Sequence, residues 1–343
     1  AGTGSANVLD GWMSSTTTSS GVQAISNSIA RMTSSQQVSN AVSQTLPILS
    51  GSTVLNSLYL IQDMTKVVES RQDALRGMSS GEKFYGNSNV WMKPFGAWIS
   101  RNNANGAYGF DSSTGGLMFG GDTTLTEKLR LGGSFAWGSS SINSNAGSAA
   151  PQNQNSNLYE FIAYGSYAFR PTIDISTQIS GGFGTNNSNR TISFMGTTAQ
   201  GSYMSTNFHF GTSIQKRFEV LEGTQLIPSA RVDYTWINNA AYSESGAGAL
   251  NLNVGSQSYT AALIGTDGKI RQELFSPEHH LVSSIGVGYY MTPTKTSVTA
   301  NYQGTPGTSF LTTGLQPNAV MGYGGAGYEY SVADNVQISA RYD

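Results

Sequence analysis

The stretch RQDALRG at residues 71–77 closes a helical segment, and VWMKPFG at residues 90–96 opens the first strand of the chain. Upstream of this junction the sequence is polar and helical. Downstream, apolar residues recur with a period of two, which is the period of a β-strand. The chain therefore divides into a helical N-terminal part and a long all-β part that begins near residue 90.

Charged residues are scarce along the whole chain. Asp, Glu, Lys and Arg make up 11% of the 343 residues, against about 25% in an average soluble protein. The mean hydropathy of -0.24 argues against a protein built of membrane-spanning helices, and no run reaches the roughly 20 apolar residues that such a helix needs. A transmembrane antiparallel β-barrel reconciles these facts, because its strands alternate lipid-facing apolar residues with lumen-facing polar residues. The net charge of -2 offers no basic patch for nucleic acid.

The amphipathic strands place their charges on one face, as in residues 204–217 and 262–271. We predict that the charged face lines the barrel lumen. Its candidate residues are Glu160, Arg217, Arg231, Asp233, Asp267, Lys269, Arg271, Glu329 and Arg341. The opposite face is predicted to meet lipid through Phe161, Phe208, Phe210, Tyr234, Trp236 and Ile264. Other strand aromatics, among them Trp91 and Phe95, are interpreted as lipid-facing anchors as well.

Eleven strands are predicted between residue 90 and the end of the chain, and short turns alternate with long loops. The turns include residues 126–128 and 170–171, and the loops include 241–255 and 294–317. Bacterial outer-membrane barrels have short periplasmic turns and long extracellular loops, so the first strand is predicted to run outward. Because such single-chain barrels have an even number of strands, we expect the native chain to continue past Asp343 by a loop and a twelfth strand.

A helix is predicted over residues 53–76, with Gly77 as its C-cap. At 1.5 Å per residue it spans roughly 36 Å, which is about the height of a bilayer. Its polar face carries Lys66, Arg71, Asp73 and Arg76. Since this face is too charged to lie against lipid, we predict that the helix is threaded through the barrel pore.

The order of these elements resembles the C-terminal translocator domain of monomeric autotransporters, which belong to type V secretion. The resemblance covers about residues 50–343 and rests on RQDALRG, VWMKPFG, the Gly-rich amphipathic strands and NVQISARYD at residues 335–343. It implies a twelve-stranded barrel in the bacterial outer membrane, with the helix in its pore. It also implies an upstream passenger that is carried to the cell surface, and the barrel-assembly machinery and periplasmic chaperones as partners.

With this resemblance, the chain is predicted to have three parts, and the barrel is expected to be a monomer. Residues 1–52 are the polar linker at the end of the passenger, with short helical pieces such as one near residues 22–32. The Ser- and Thr-rich run at residues 14–20 has too few apolar side chains to offset the entropy of ordering it, so this stretch is predicted to be a flexible linker or one that a partner orders. Residues 53–77 are the pore helix, and residues 78–343 are the barrel translocator.

Two functions stay open at this point: a translocator that exports its attached passenger, and a porin-like channel plugged by its N-terminal helix. The polar N-terminal stretch favours export. No catalytic, cofactor or metal site is predicted, because the histidines His209, His279 and His280 are too few and wrongly spaced for a zinc site or a triad. Some autotransporters cut themselves at an Asn within the pore. Here the helix contains only Asn56, and no motif supports self-cleavage.

Overall fold

The computed structural model of the chain describes residues 3–14, 19–77, 88–291, 294–333 and 336–342. The helices are α1 (Thr3–Ser14), α2 (Ser20–Ala30), α3 (Ser35–Gln44) and α4 (Leu49–Gly77). The strands are β1 (Ser88–Arg101), β2 (Phe110–Thr126), β3 (Leu129–Ser144), β4 (Gln152–Arg170), β5 (Ile173–Ile192), β6 (Thr197–Lys216), β7 (Phe218–Leu221), β8 (Thr224–Asn239), β9 (Tyr242–Ser243), β10 (Leu252–Val254), β11 (Gln257–Glu273), β12 (His279–Tyr290), β13 (Ser297–Tyr302), β14 (Ser309–Thr313), β15 (Val320–Ala333) and β16 (Val336–Tyr342). None of the helices in these ranges is both long and apolar enough to cross a membrane.

The large sheet is a continuous antiparallel meander. Its strands follow in the order β1-β2-β3-β4-β5-β6-β8-β11-β12-β15-β16, and the short β7 pairs with β8. This path has the eleven strands that the alternating sequence predicts, and it confirms the all-β antiparallel architecture. Within the described residues, β1 and β16 are the two edges of the sheet.

The sheet curls around α4. Side chains of the helix hydrogen-bond strands on different sides: Thr53 reaches Gln154 in β4, and Gln62 reaches Tyr290 in β12. Arg71 donates to Asp122 in β2. Contacts in so many directions are possible only if the helix lies inside the curve of the sheet. At 1.5 Å per residue, its 29 residues span about 43 Å along the pore.

The two faces of the wall differ as the alternation predicts. In β4, Glu160 is 1% exposed, whereas its neighbour Phe161 is 60% exposed. Phe208, Phe210, Tyr234 and Ile264 are exposed on the outer face, and Trp236 is half-buried there. The polar residues of the wall thus face α4, and the apolar ones face away from it.

The first strand departs from the expected pattern. Trp91 and Phe95, expected to face lipid, pack against the buried core around α4. The indole N–H of Trp91 donates to the Tyr164 hydroxyl at 2.7 Å. The alternation in β1 instead turns Val90 and Trp98 outward. Both faces of this strand carry aromatic residues, so residue type alone could not tell them apart.

The helix begins at Leu49, four residues before the predicted start at residue 53. Gly51 therefore lies in the first turn of the helix. A Cβ atom at Gly51 would lie 3.4 Å from the Cα atom of Gly314 and closer still to Thr296. Glycine is therefore used here for a close approach of the helix to a loop.

Residues predicted to be a linker and long loops fold together at the loop end of the barrel. The loops carry a four-stranded sheet in the order β14-β13-β10-β9, and α1, α2 and α3 pack on it and on the tip of the β5–β6 hairpin. We call this assembly, formed by residues 3–14 and 19–48, the four-stranded sheet and the hairpin tip, the cap. The described residues of the predicted linker are thus largely helical, and α2 covers most of the short helix predicted near residues 22–32. The apolar residues of α1 and α2 find partners that lie far away in the sequence.

Candidate functional site

The upper part of α4, nearer the cap, is held by apolar packing. Leu55, Leu58 and Ile61 are at most 1% exposed and belong to one core cluster with Met118 and Ile142 of the wall. Sequence periodicity predicts the helical side of this cluster, but it does not show which wall residues complete it. The packing seals the space between the helix and the wall.

Hydroxyl groups surround the single asparagine of the helix. The amide of Asn56 donates to Ser140 Oγ at 3.2 Å, and Ser112 Oγ donates to Asn56 Oδ1 at 2.7 Å. Asn56 is 1% exposed. These hydrogen bonds satisfy a buried amide that would otherwise be costly in an apolar setting.

The lower part of α4 is held by ion pairs. Glu69 lies 3.2 Å from Arg231 in β8, and the same guanidinium lies 2.7 Å from Asp233. Arg231 thus links a carboxylate of the helix with one of the wall. Both Arg231 and Asp233 were predicted to face the lumen, and the structure places them there.

Two further ion pairs join α4 to other strands. Lys269 Nζ in β11 lies 2.7 Å from Asp73 Oδ2. On the other side of the helix, Arg71 Nε donates to Asp122 Oδ2 at 2.9 Å, and its Nη2 donates to Oδ1 at 3.3 Å. The sequence predicted Lys269 as a lumen residue, and Asp73 and Arg71 as residues on the polar face of the helix. It did not predict Asp122 as a lumen residue, because the glycines beside it in β2 obscure the alternation.

The remaining helix candidates differ in their surroundings. The ammonium of Lys66 lies 5.4 Å from the centre of the Tyr323 ring, a distance at which a cation is attracted to the ring face. Arg76 lies in the last turn of α4, and its side chain is outside the described residues. Sequence reasoning also missed Lys93, whose Nζ donates to Ser70 Oγ of the helix at 3.2 Å.

Several predicted lumen residues bind other wall residues. Arg217 lies 3.2 Å from Asp174, and Arg271 lies 3.3 Å from Glu329. Glu160 accepts from Ser180, Asp267 accepts from Ser229, and Arg341 donates to Ser284. A polar cavity between the helix and the wall is lined by Asp73, Arg217, Lys269, Arg271, Glu329 and Arg341. The structure therefore brings Arg217, Lys269, Arg271, Glu329 and Arg341 to this cavity. Glu160 lies apart from them, in the middle of β4.

In the lower lumen, three charged side chains of α4 lie against wall residues of opposite charge. Acidic Glu69 and Asp73 meet basic wall residues, and basic Arg71 meets an acidic one. Within the part of the chain that the structure describes, no three His, Asp or Glu side chains are placed to share a metal ion. The arrangement is suited to holding a helix in one position.

The curled antiparallel sheet, its apolar outer face and its helix-filled polar lumen define an outer-membrane β-barrel. A family model described as the autotransporter beta-domain matches residues 90–343. The protein therefore belongs to the autotransporter β-domain family, as the resemblance of its sequence implied. No curated protein sequence gives a significant match to the chain.

Solved structures agree with this fold. The translocator domain of the autotransporter NalP from Neisseria meningitidis is similar, with a TM-score of 0.62 and 15% identity over 84% of this chain and 90% of that one. The β-domain of the Bordetella autotransporter BrkA has a TM-score of 0.46 and 11% identity over 74% of this chain and 98% of that one. The toluene transporter TodX of Pseudomonas putida has a TM-score of 0.44 and 9% identity over 74% and 73%. Of these three, the NalP domain is near enough to support the fold.

Family and fold together establish the function at the level of the class. The protein is an outer-membrane translocator domain that exports an attached passenger. The porin-like channel is not better supported, because the family model that matches residues 90–343 is the autotransporter beta-domain.

Proposed function

We propose that α4 is the trailing segment of the exported chain and that it closes the pore in one fixed position after export. The observation that carries this proposal is the set of ion pairs Glu69–Arg231, Arg71–Asp122 and Asp73–Lys269. Arg231 and Lys269 stand on the paired strands β8 and β11 and approach the helix from one side. Asp122 on β2 approaches it from another. A helix that is rotated or shifted would lose these pairs and leave charges unpaired at a cost.

We propose that the three predicted parts of the chain have separate roles. Residues 1–48 form the end of the passenger. The pore helix is α4, residues 49–77 instead of the predicted 53–77, and residues 78–343 form the barrel that anchors it. The passenger joins upstream of residue 1. The direction of α4 supports this order, because its first turn lies beside Thr296 and Gly314 of the long loops and its last described side chains lie near the turn end.

We infer that the barrel performs no chemistry on the helix. The groups that hydrogen-bond Asn56 are the hydroxyls of Ser112 and Ser140, and neither is an acid that could assist cleavage of the chain. The helix then stays covalently joined to the barrel. A monomeric barrel suffices for this role, with the assembly machinery and periplasmic chaperones as its partners during biogenesis.

Export is tested by displaying a tag. An epitope placed immediately before Ala1 of the full chain is expected to be accessible to antibody and to added protease on intact cells. An epitope that is reached only after the cells are opened would contradict the proposed order of parts.

The fixed helix position is tested by exchanging charges. Lys269→Asp faces Asp73 with a like charge, so single-channel recordings are expected to show frequent opening of the pore. The double variant Lys269→Asp with Asp73→Lys restores the pair and is expected to restore the quiet state. A double variant as leaky as the single one would contradict a role of this pair in holding the helix.

A further inference from the structure

The cap is built from two parts of the chain that lie on opposite sides of the pore helix in the sequence. Residues 3–48 precede α4, whereas the loops and the four-stranded sheet belong to the barrel. From α1, Val8, Leu9 and Trp12 are buried, and from α2, Val22, Ile25 and Ile29 are buried. Each is at most 7% exposed. These six side chains pack in one cluster with barrel residues such as Leu252 and Phe310.

Specific polar contacts accompany this packing. The ring of Trp12 lies 5.2 Å from that of Tyr302, and its indole N–H donates to Thr305 Oγ1 at 2.6 Å. Ser5 Oγ and the Tyr302 hydroxyl lie 2.5 Å apart, and that hydroxyl donates to Thr45 at 2.6 Å. Burial raises the pKa of Tyr302 above its ordinary value, so the phenol stays protonated as a donor.

A buried ion pair connects three segments of the cap. Arg190 near the tip of β5 lies 2.5 Å from Glu244, which directly follows β9 in the connection between β8 and β11, and both side chains are at most 4% exposed. Arg190 also donates to the carbonyls of Gln44 and Leu250 at 2.7 and 2.8 Å. Because Gln44 ends α3, the pair fixes the N-terminal segment as well as the loops.

We propose that the non-covalent contacts within the cap are sufficient to hold α1 and α2 on the barrel. This proposal rests on the proposed function, in which the passenger joins upstream of residue 1. If the chain is cut between α2 and α3, the passenger is then expected to stay on the cell surface. The connection between these helices favours such a cut, because Arg31, Thr33 and Ser34 are exposed. All six buried anchors of α1 and α2 lie on the passenger side of this connection.

A cut at a chosen position tests the proposal. The full chain carries an epitope immediately before Ala1 and a specific protease site inserted between Met32 and Thr33, which leaves the Ser34 capping box of α3 intact. Surface labelling before the cut shows whether export has occurred, so failure of the proposed function is seen first. After the cut, verified on a denaturing gel, the epitope is expected to stay with the cells. An epitope that moves into the medium would overturn the proposal.

Substitutions in α1 test whether buried side chains hold the cut segment on the barrel. Trp12→Ala in the cut chain is expected to release the epitope, because losing a buried Trp weakens such contacts on the order of 100-fold or more. Met13→Ala is the matched control, since Met13 is 45% exposed and its loss should leave the epitope bound. Equal release by both variants would contradict the role of Trp12.

A second measurement does not depend on cleavage. Hydrogen exchange of the uncut chain in bilayers is expected to show protected amides in α1 and α2, and Trp12→Ala is expected to remove this protection. Rapid exchange of α1 and α2 in the unaltered chain would overturn the proposal.

Discussion

The lumen and the cap both hold helices against the barrel, but they do so with different chemistry. In the cap, α1 and α2 bury six apolar anchors, and Arg190–Glu244 is a buried ion pair at its centre. In the lower lumen, α4 is held by several ion pairs, among them Glu69–Arg231 and Asp73–Lys269. The cap meets α1 and α2 with an apolar core, whereas the wall of the lower lumen meets α4 with charged side chains. The two regions are therefore expected to respond differently to the loss of one side chain.

The largest effect is expected in the cap. Trp12→Ala removes a side chain that is 5% exposed and should cost the cap about 3–5 kcal/mol. The barrel has a separate core, so its own unfolding should not change. Urea titration of the purified protein should show earlier loss of protease resistance in α1 and α2, while the heat-dependent gel shift of the barrel stays constant. Parallel losses of both signals would mean that the cap and the barrel are one cooperative unit.

In the lumen, Arg231→Ala tests the central ion pair. It removes the cation that Glu69 and Asp233 share. The Arg231–Asp233 pair is buried, with side chains 9% and 4% exposed, and breaking such a pair costs about 3 kcal/mol. The urea midpoint of the barrel should fall accordingly. Arg217→Ala is the matched control, because the Arg217 side chain is 23% exposed and solvent weakens its pair. If the two variants lower the midpoint equally, burial does not govern the strength of these pairs.

The outer wall provides a third contrast. Ile264→Arg places a charge on the lipid face and should cost roughly 2–4 kcal/mol near the bilayer midplane. Asp267→Asn, three positions along the same strand but facing the lumen, should leave the barrel folded. Assembly is measured as the fraction of protein that shows the heat-dependent gel shift. Equal tolerance of both changes would show that the inner and outer faces are wrongly assigned.

The smallest effect is expected at the turn end of the wall. Arg271→Gln removes a pair with Glu329 whose partners are 14% and 11% exposed. Pairs with access to water contribute about 0–1 kcal/mol, so the urea midpoint should hardly move. A loss as large as that of Arg231→Ala would show that this end of the lumen is dry.

The sequence predicted the wall well because alternation is a local signal. Glu160 and Phe161 are neighbours in the chain, and a period of two is enough to send them to opposite faces. In β1 aromatic residues occupy both faces. Assigning them to the lipid face by residue type, instead of by alternation, gave the wrong face for Trp91 and Phe95. The pairing of Arg71 with Asp122 depends on how the helix is rotated in the lumen, which no local pattern contains.

The cap could not be predicted for a related reason. Taken alone, α1 and α2 are short and polar, and a few spaced apolar residues cannot offset the entropy of ordering them. Their partners include Tyr302 and Phe310, more than two hundred residues away in the chain. Only the curled sheet brings these loops close to the N-terminal segment.

The position of α4 in the lumen is tested most directly by crosslinking. The chain has no cysteine, so the pair Asn56→Cys and Ser140→Cys can be joined by a short thiol-reactive crosslinker without competing thiols. Ser140 faces the helix, and its neighbour Ser141 faces outward. On intact cells, crosslinking is expected for the pair with position 140 and not for Asn56→Cys with Ser141→Cys. Efficient crosslinking to position 141, or none to position 140, would contradict a helix threaded through the pore.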